Sequence, residues 1–193
     1  MKVEKYTLDD KVYWTSDSHF HHRAILQYCQ RPFANVEEMD ETLINNWNVT
    51  VGPNGIVYHL GDFVFGGAQL IQKYRERLNG KIHLILGNHD LRNIKDSVRD
   101  CFEEIVFQKN IQIEGDKIYN VVMNHYPFLS FPGLYHSDHI QLFGHVHSRP
   151  NNTGLDADRL HLLKNQYDVG VDNNFYKPVS FKEICQQLQL SYV

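Results

Sequence analysis

Five short apolar runs each break off into residues that ligate metals or move protons, and this pattern governs what the chain can fold into. Val12–Ser16 leads into Asp17-Ser18-His19, Ile56–Leu60 into Gly61-Asp62, and Ile82–Leu86 into Gly87-Asn88-His89-Asp90. Tyr119–Met123 leads into Asn124-His125, and Ile140–Phe143 into Gly144-His145-Val146-His147. Runs of β-branched and aromatic residues bounded by turn formers read as strands. In α/β sheets, ligands gather outside the carboxyl ends of the strands. Strands lying side by side would therefore deliver all five motifs to one place. Gly61, Gly87 and Gly144 each precede a candidate ligand, where glycine lets the chain turn sharply and approach an ion closely.

Between the strands lie helical patterns. Asn35 with Glu38 forms a capping box that opens a helix with Met39, Leu43 and Trp47 on one face, ending before the breaker cluster Val51–Gly55. A second helix, Gln69–Leu78, aligns Leu70, Tyr74 and Leu78. The second half is richer in strands. Asn110–Glu114 and Lys117–Met123 flank Gly115-Asp116, a two-residue hairpin turn, and Tyr167–Val171 reads as a further strand. Ser180 with Glu183 caps a last helix running to about Leu190. Strand–helix alternation followed by a strand-rich half predicts a layered α/β sandwich rather than a doubly wound sheet.

Composition narrows the function. At 193 residues the chain is expected to form one domain over 1–193, and 42% hydrophobic residues exclude wholesale disorder. A net charge of −4 argues against a broad basic surface for nucleic acid. Cys29, Cys101 and Cys185 form no CxxC pair, which argues against a disulfide framework or a zinc knuckle. The N-terminal residues contain no secretory h-region, and no apolar run approaches the roughly 18 residues of a membrane span, so a cytoplasmic protein without membrane attachment is expected.

The ligand types set the chemistry. Histidine nitrogen, carboxylate oxygen and a side-chain amide, with no thiolate, suit Mn, Fe, Zn or Ni rather than an iron–sulfur cluster or Cu(I). Seven candidates are too many for one tetrahedral zinc, which takes four, and suit two metals sharing a bridging carboxylate.

Asp17-x-His19, Gly61-Asp62, Gly87-Asn88-His89-Asp90, His125 and Gly144-His145-Val146-His147 together resemble the signature of the calcineurin-like metallophosphoesterase superfamily. Val169–Asn173 and Lys177–Ser180 resemble the C-terminal segment of its small bacterial and phage members. The resemblance implies an α-β-β-α sandwich and two divalent cations, manganese first among them. It implies that Asp17, His19 and His147 hold one ion, that Asn88, His125 and His145 hold the other, and that Asp62 bridges them. It further implies hydrolysis of a phosphodiester or phosphomonoester by a metal-bridging hydroxide. His89 would serve as acid or charge stabiliser and Asp90 would orient its ring. The expected partner is a small phosphate-ester substrate. A metal-dependent nuclease is the alternative and a non-catalytic scaffold a further one, and oligomeric state stays open.

One departure from the family pattern is His19-Phe20-His21-His22, where relatives often carry His-x-Gly-His. His22 matches the second histidine and is a candidate substrate contact, whereas His21 is expected to be solvated. His59 and His83 read as structural histidines within strands, and Arg23, Arg92 and Arg149 as surface residues flanking motifs. Substrate selectivity falls to the loops Phe20–Arg31, Phe128–His139 and Ser148–Asn165.

Overall fold

The computed structural model describes residues 3–94, 96–149 and 162–191. Positions 150–161, which make up most of the Ser148–Asn165 loop and include His161, lie outside the described residues.

Two mixed five-stranded sheets flanked by helices form a layered sandwich. One sheet has β2 (Val12–Thr15), β3 (Ile56–His59), β4 (Lys81–Ile85) and β5 (Glu104–Val106) in parallel, with β10 (Val179–Ser180) antiparallel to β2. The other runs β1 (Glu4–Thr7), β6 (Gln108–Glu114), β7 (Ile118–Asn124), β8 (His139–Phe143) and β9 (Gln166–Asp168). The five motif-bearing strands are therefore divided between two sheets, not aligned in one. β2, β3 and β4 carry three motifs and β7 and β8 the other two.

Side-chain alternation explains why the sheets stack. Along β3 and β4, Val57, Ile82 and Leu84 face one core with Met39, Leu43 and Trp47. Tyr58, Leu60 and Ile85 face the opposite core with Val121, Met123, Ile140 and Leu142 of the second sheet. A parallel strand buried on both faces needs this double apolar character. The first helical layer comprises α2 (Val36–Val51) and α3 (Ala68–Arg75), while α5 (Phe181–Gln187) packs beside β2 and β10. The short helices α1 (Ile25–Tyr28) and α4 (Asp90–Asn93) lie in the loops after β2 and β4. The far face of β8 is overlaid by the 126–128 segment, which Gln141 holds by hydrogen bonds to Tyr126 O and Phe128 N.

Local expectations were met with shifts of a few residues. Asn35 Oδ1 caps Glu38 N, but Glu38 returns its bond to Ala34 N. The helix includes Val51, because the break begins at Gly52, which is at φ +67° and donates to Asn48 O. On α3 it is Ile71, with Tyr74, that is buried, whereas Leu70 is only partly so. The hairpin turn has three residues: Glu114 pairs with Ile118, and Gly115 N bonds Lys117 O. β9 stops at Asp168 because its carboxylate accepts Gly170 N and bends the chain. α5 has the expected capping box and ends at Gln187 rather than Leu190.

Candidate metal centre

Three of the five motifs leave their strands in tight turns that ordinary residues resist. Asp17, His19, Asp62, His145 and His147 all adopt left-handed backbone, with φ between 46° and 72°. For residues with a Cβ this costs of order 1–3 kcal/mol each and persists only where surrounding bonds over-determine it. Those bonds run between loops: Asp17 N to Gly61 O at 2.9 Å, and His19 N to Asp62 O at 3.0 Å. Gly144 is required by close approach, since a Cβ there would collide with Ser16 Oγ and the Asp17 carboxylate. A Cβ at Gly87 would likewise strike Asp62.

These turns bring the seven predicted ligands together. Asp17, His19 and His147 form one cluster, with Asp17 Oδ1 at 4.0 Å from both His19 Nε2 and His147 Nε2. Asp62, His125 and His145 form another, and Asn88 Oδ1 lies 3.2 Å from His125 Nε2. Asp62 Oδ2 stands between the groups, at 3.5 Å from His19 Nε2 and 3.7 Å from His125 Nε2. It also lies 3.9 Å from His89 Nε2.

The donor set fits divalent ions. Asp17 Oδ1 and His19 Nε2 are buried without a hydrogen-bond partner. An orphaned buried polar atom is costly unless something satisfies it. Metal bonds of roughly 2.0–2.2 Å set two ligands of one ion ~3–4 Å apart, close to the spacings here.

In three of the ligand histidines the other ring nitrogen is committed to a neighbour that aims the ring. His125 Nδ1 donates to Leu60 O at 2.7 Å. His147 Nδ1 pairs with Asp172 Oδ2 at 2.8 Å, and His19 Nδ1 meets His22 Nδ1 at 3.1 Å. Fixing one nitrogen leaves the opposite one to face an ion. Asp172 in turn receives a two-pronged bond from buried Arg31, at 2.9 and 2.8 Å. The same guanidinium donates to Asp17 O and Ser18 O. Arg31 thus ties the Asp17 loop to Asp172, which lies 141 residues beyond Arg31 in sequence. Asp168 secures the His147 turn through Ser148 N and Oγ.

The electrostatics ask for positive charge. Burial and neighbouring Asp17 push the Asp62 carboxyl up to about 7. Burial opposes protonation of His147, but Asp17 and Asp172 outweigh it and push His147 up to about 11. Burial, reinforced by His147 and Arg31, holds His19 well below the ordinary imidazole value. A bound cation would release the protons these shifts retain.

Two expected roles take a different form. Asp90 is 1% exposed and spends its oxygens on the backbone N–H groups of Asp62, Phe63 and Gly87. It fixes the two turns rather than the His89 ring. His22 is buried against His19 and stacks on Phe65 at 4.0 Å, rather than projecting outward. His21 is exposed, and its N–H is held by Asp40. His59 is buried and bonded to Ser18 Oγ, as suits a structural residue.

Arg31, Asp168 and Asp172 were missed in the sequence. Asp172 follows β9 in Val169-Gly170-Val171-Asp172, a fainter copy of the apolar-run-to-ligand pattern. Arg31, in Gln30-Arg31-Pro32, carries no such signal.

The sandwich and its clustered buried ligands are compatible with a metallophosphoesterase-like α/β fold and a metal-dependent catalytic site. Among the described residues, no helix is long and apolar enough to cross a membrane. No family model matches the chain. The crystal structure of AQ665, a protein of unknown function from Aquifex aeolicus, superposes with a TM-score of 0.66 and 26% identity, covering 91% of this chain and 98% of that one. The Gene 66 protein of Mycobacterium phage D29 is 29% identical over 189 residues, covering 83% of this chain and 87% of the phage protein. The uncharacterized protein MJ1445 of Methanocaldococcus jannaschii is 32% identical over 190 residues, covering 93% of this chain and 92% of its own. On that likeness the chain belongs to one family with MJ1445.

Proposed function

We propose that this protein is a dinuclear metallophosphoesterase, a one-domain cytoplasmic hydrolase of small phosphate esters. The observation that carries the proposal is Asp62 Oδ2, set between His19 Nε2 at 3.5 Å and His125 Nε2 at 3.7 Å. A carboxylate in that position could serve two ions at once. Asp17, His19 and His147 would hold one ion, and Asn88, His125 and His145 the other. Two divalent ions, manganese first among Mn, Fe, Zn and Ni, would supply Lewis acidity and a water activated at neutral pH.

The chain's own residues supply the rest. The His89 side chain is 37% exposed, and its Nε2 lies 3.9 Å from the Asp62 carboxylate. From there its N–H can meet a phosphate oxygen and protonate the leaving oxygen. Burial and neighbouring His125 lower its pKa, which weakens its hold on the proton it transfers. Asp90 and Arg31 hold the loops, so the constellation is assembled before substrate arrives.

Replacing His89 by Ala is expected to leave metal content unchanged and to lower turnover on the order of 10²-fold. Metal analysis beside steady-state kinetics checks both halves. The broader test is a manganese-reconstituted panel of bis(4-nitrophenyl) phosphate, 4-nitrophenyl phosphate, cyclic nucleotides and short oligonucleotides. Turnover of the small esters supports the proposal. Oligonucleotide cleavage that falls steeply with salt would favour a nuclease. A protein with two metals bound and no turnover of any ester would be a scaffold.

A further inference from the structure

A cavity of about 410 Å³ opens beside the metal centre, lined by Phe65, Gly66, Asn88, His89, Arg92 and Asn93. Two of its walls, Asn88 and His89, belong to the centre itself. Two of the others are held in place. Phe65 is 44% exposed, yet its ring is fixed by stacking on His22 at 4.0 Å and 9°. The Asn93 amide donates to Val64 O and His89 O. Arg92 sits on the same short helix α4, exposed, and no carboxylate among the described residues pairs with it. A cavity with Arg92 in its wall, and no carboxylate among the described residues paired with that guanidinium, suits an anion.

Direction follows from His89. In an in-line displacement at phosphorus, the bond to the water oxygen forms as the bond to the leaving oxygen breaks. The leaving oxygen keeps the electron pair and takes the His89 proton. The leaving group must therefore lie on the side of His89, which is the side of this cavity. We infer that the cavity is a leaving-group subsite for phosphate esters whose departing alcohol carries a second anionic group, gripped by Arg92 with its body against Phe65. This deepens the hydrolase proposal and rests on it.

The test compares two methyl diesters on manganese-loaded protein. Methyl 2-nitrophenyl phosphate releases an uncharged phenol frame, and methyl 5-carboxy-2-nitrophenyl phosphate releases the same frame with a carboxylate. Arg92→Gln is expected to lower kcat/KM on the carboxylated ester at least tenfold more than on its counterpart, chiefly through KM. Binding of the free product 3-hydroxy-4-nitrobenzoate, followed by absorbance titration, should weaken about tenfold in the same variant. Equal losses on both esters, with product binding unmoved, would overturn the subsite while leaving the hydrolase intact. Product binding that depends on Arg92, in a protein that cleaves neither ester, would overturn the hydrolase and keep the anion site.

Discussion

Asp62→Asn is expected to abolish the pairing of the two metal positions, lowering turnover on the order of 10³-fold or more. The amide can keep Oδ1 as acceptor for His89 N–H, a bond of 2.9 Å in the native chain. What it replaces is Oδ2, the atom facing His19 and His125, with a donor that no cation accepts. Stability should move the other way in chelated protein. Burial, with Asp17 alongside, pushes the Asp62 carboxyl up to about 7, above its unfolded value near 4. A folded pKa raised in this way means that native protein binds the extra proton, so this residue's contribution falls as pH rises from about 4 to about 7. At pH 8, metal-free Asp62→Asn should therefore melt a few degrees above metal-free wild type, with the gap closing towards pH 5. Thermal scans with chelator at the two pH values, beside kinetics with metal, separate the effects.

Arg31→Met is expected to be the most destabilising single change, at about 3–5 kcal/mol. Arg31 and Asp172 have side chains 0% and 1% exposed, so losing one partner leaves the other charge stranded. Although burial works against ionisation, Arg31 and His147 hold the Asp172 carboxyl down to about 2, so it remains an anion at any working pH. Removing both charges together, as Arg31→Met with Asp172→Leu, should recover most of the stability, because a well-packed apolar pair can replace a buried ion pair. It should not recover metal binding. His147 Nδ1 would lose its partner, and such losses cost about 10–100-fold in metal affinity. Chemical denaturation gives the first number and metal titration the second. If the double variant bound metal as tightly as wild type, Asp172 would not be what aims His147.

The division between what the sequence revealed and what it hid has a physical basis. Strand ends followed by Gly and a ligand are local events, and the residues that carry them are neighbours in the chain. Asp62, Asn88 and His145 could be picked out for that reason. Sheet partition is non-local. Whether the strand before His125 joins the one before Asp62 or faces it across a core depends on β6 and β7 forming their own hairpin, which then recruits β8. β1, with only Tyr6 packed against the apolar core, offers almost no strand signal and forms by pairing with β6. Outer support is hidden for a further reason. Arg31 acts because folding seals it between Asp172 and the Asp17 carbonyl, and an arginine in a loop looks the same whether sealed or solvated. Asp90 was visible as part of a motif, but which N–H groups its carboxylate would collect was not.

The proposed function stands or falls on one carboxylate, Asp62, being shared by two cations. The direct measurement is anomalous diffraction from crystals of manganese-loaded protein, paired with metal analysis in solution. The expected result is two ions per chain, each coordinated by Asp62, one beside Asp17, His19 and His147 and the other beside Asn88, His125 and His145. A single ion at saturation, or two ions of which at most one touches Asp62, would contradict it.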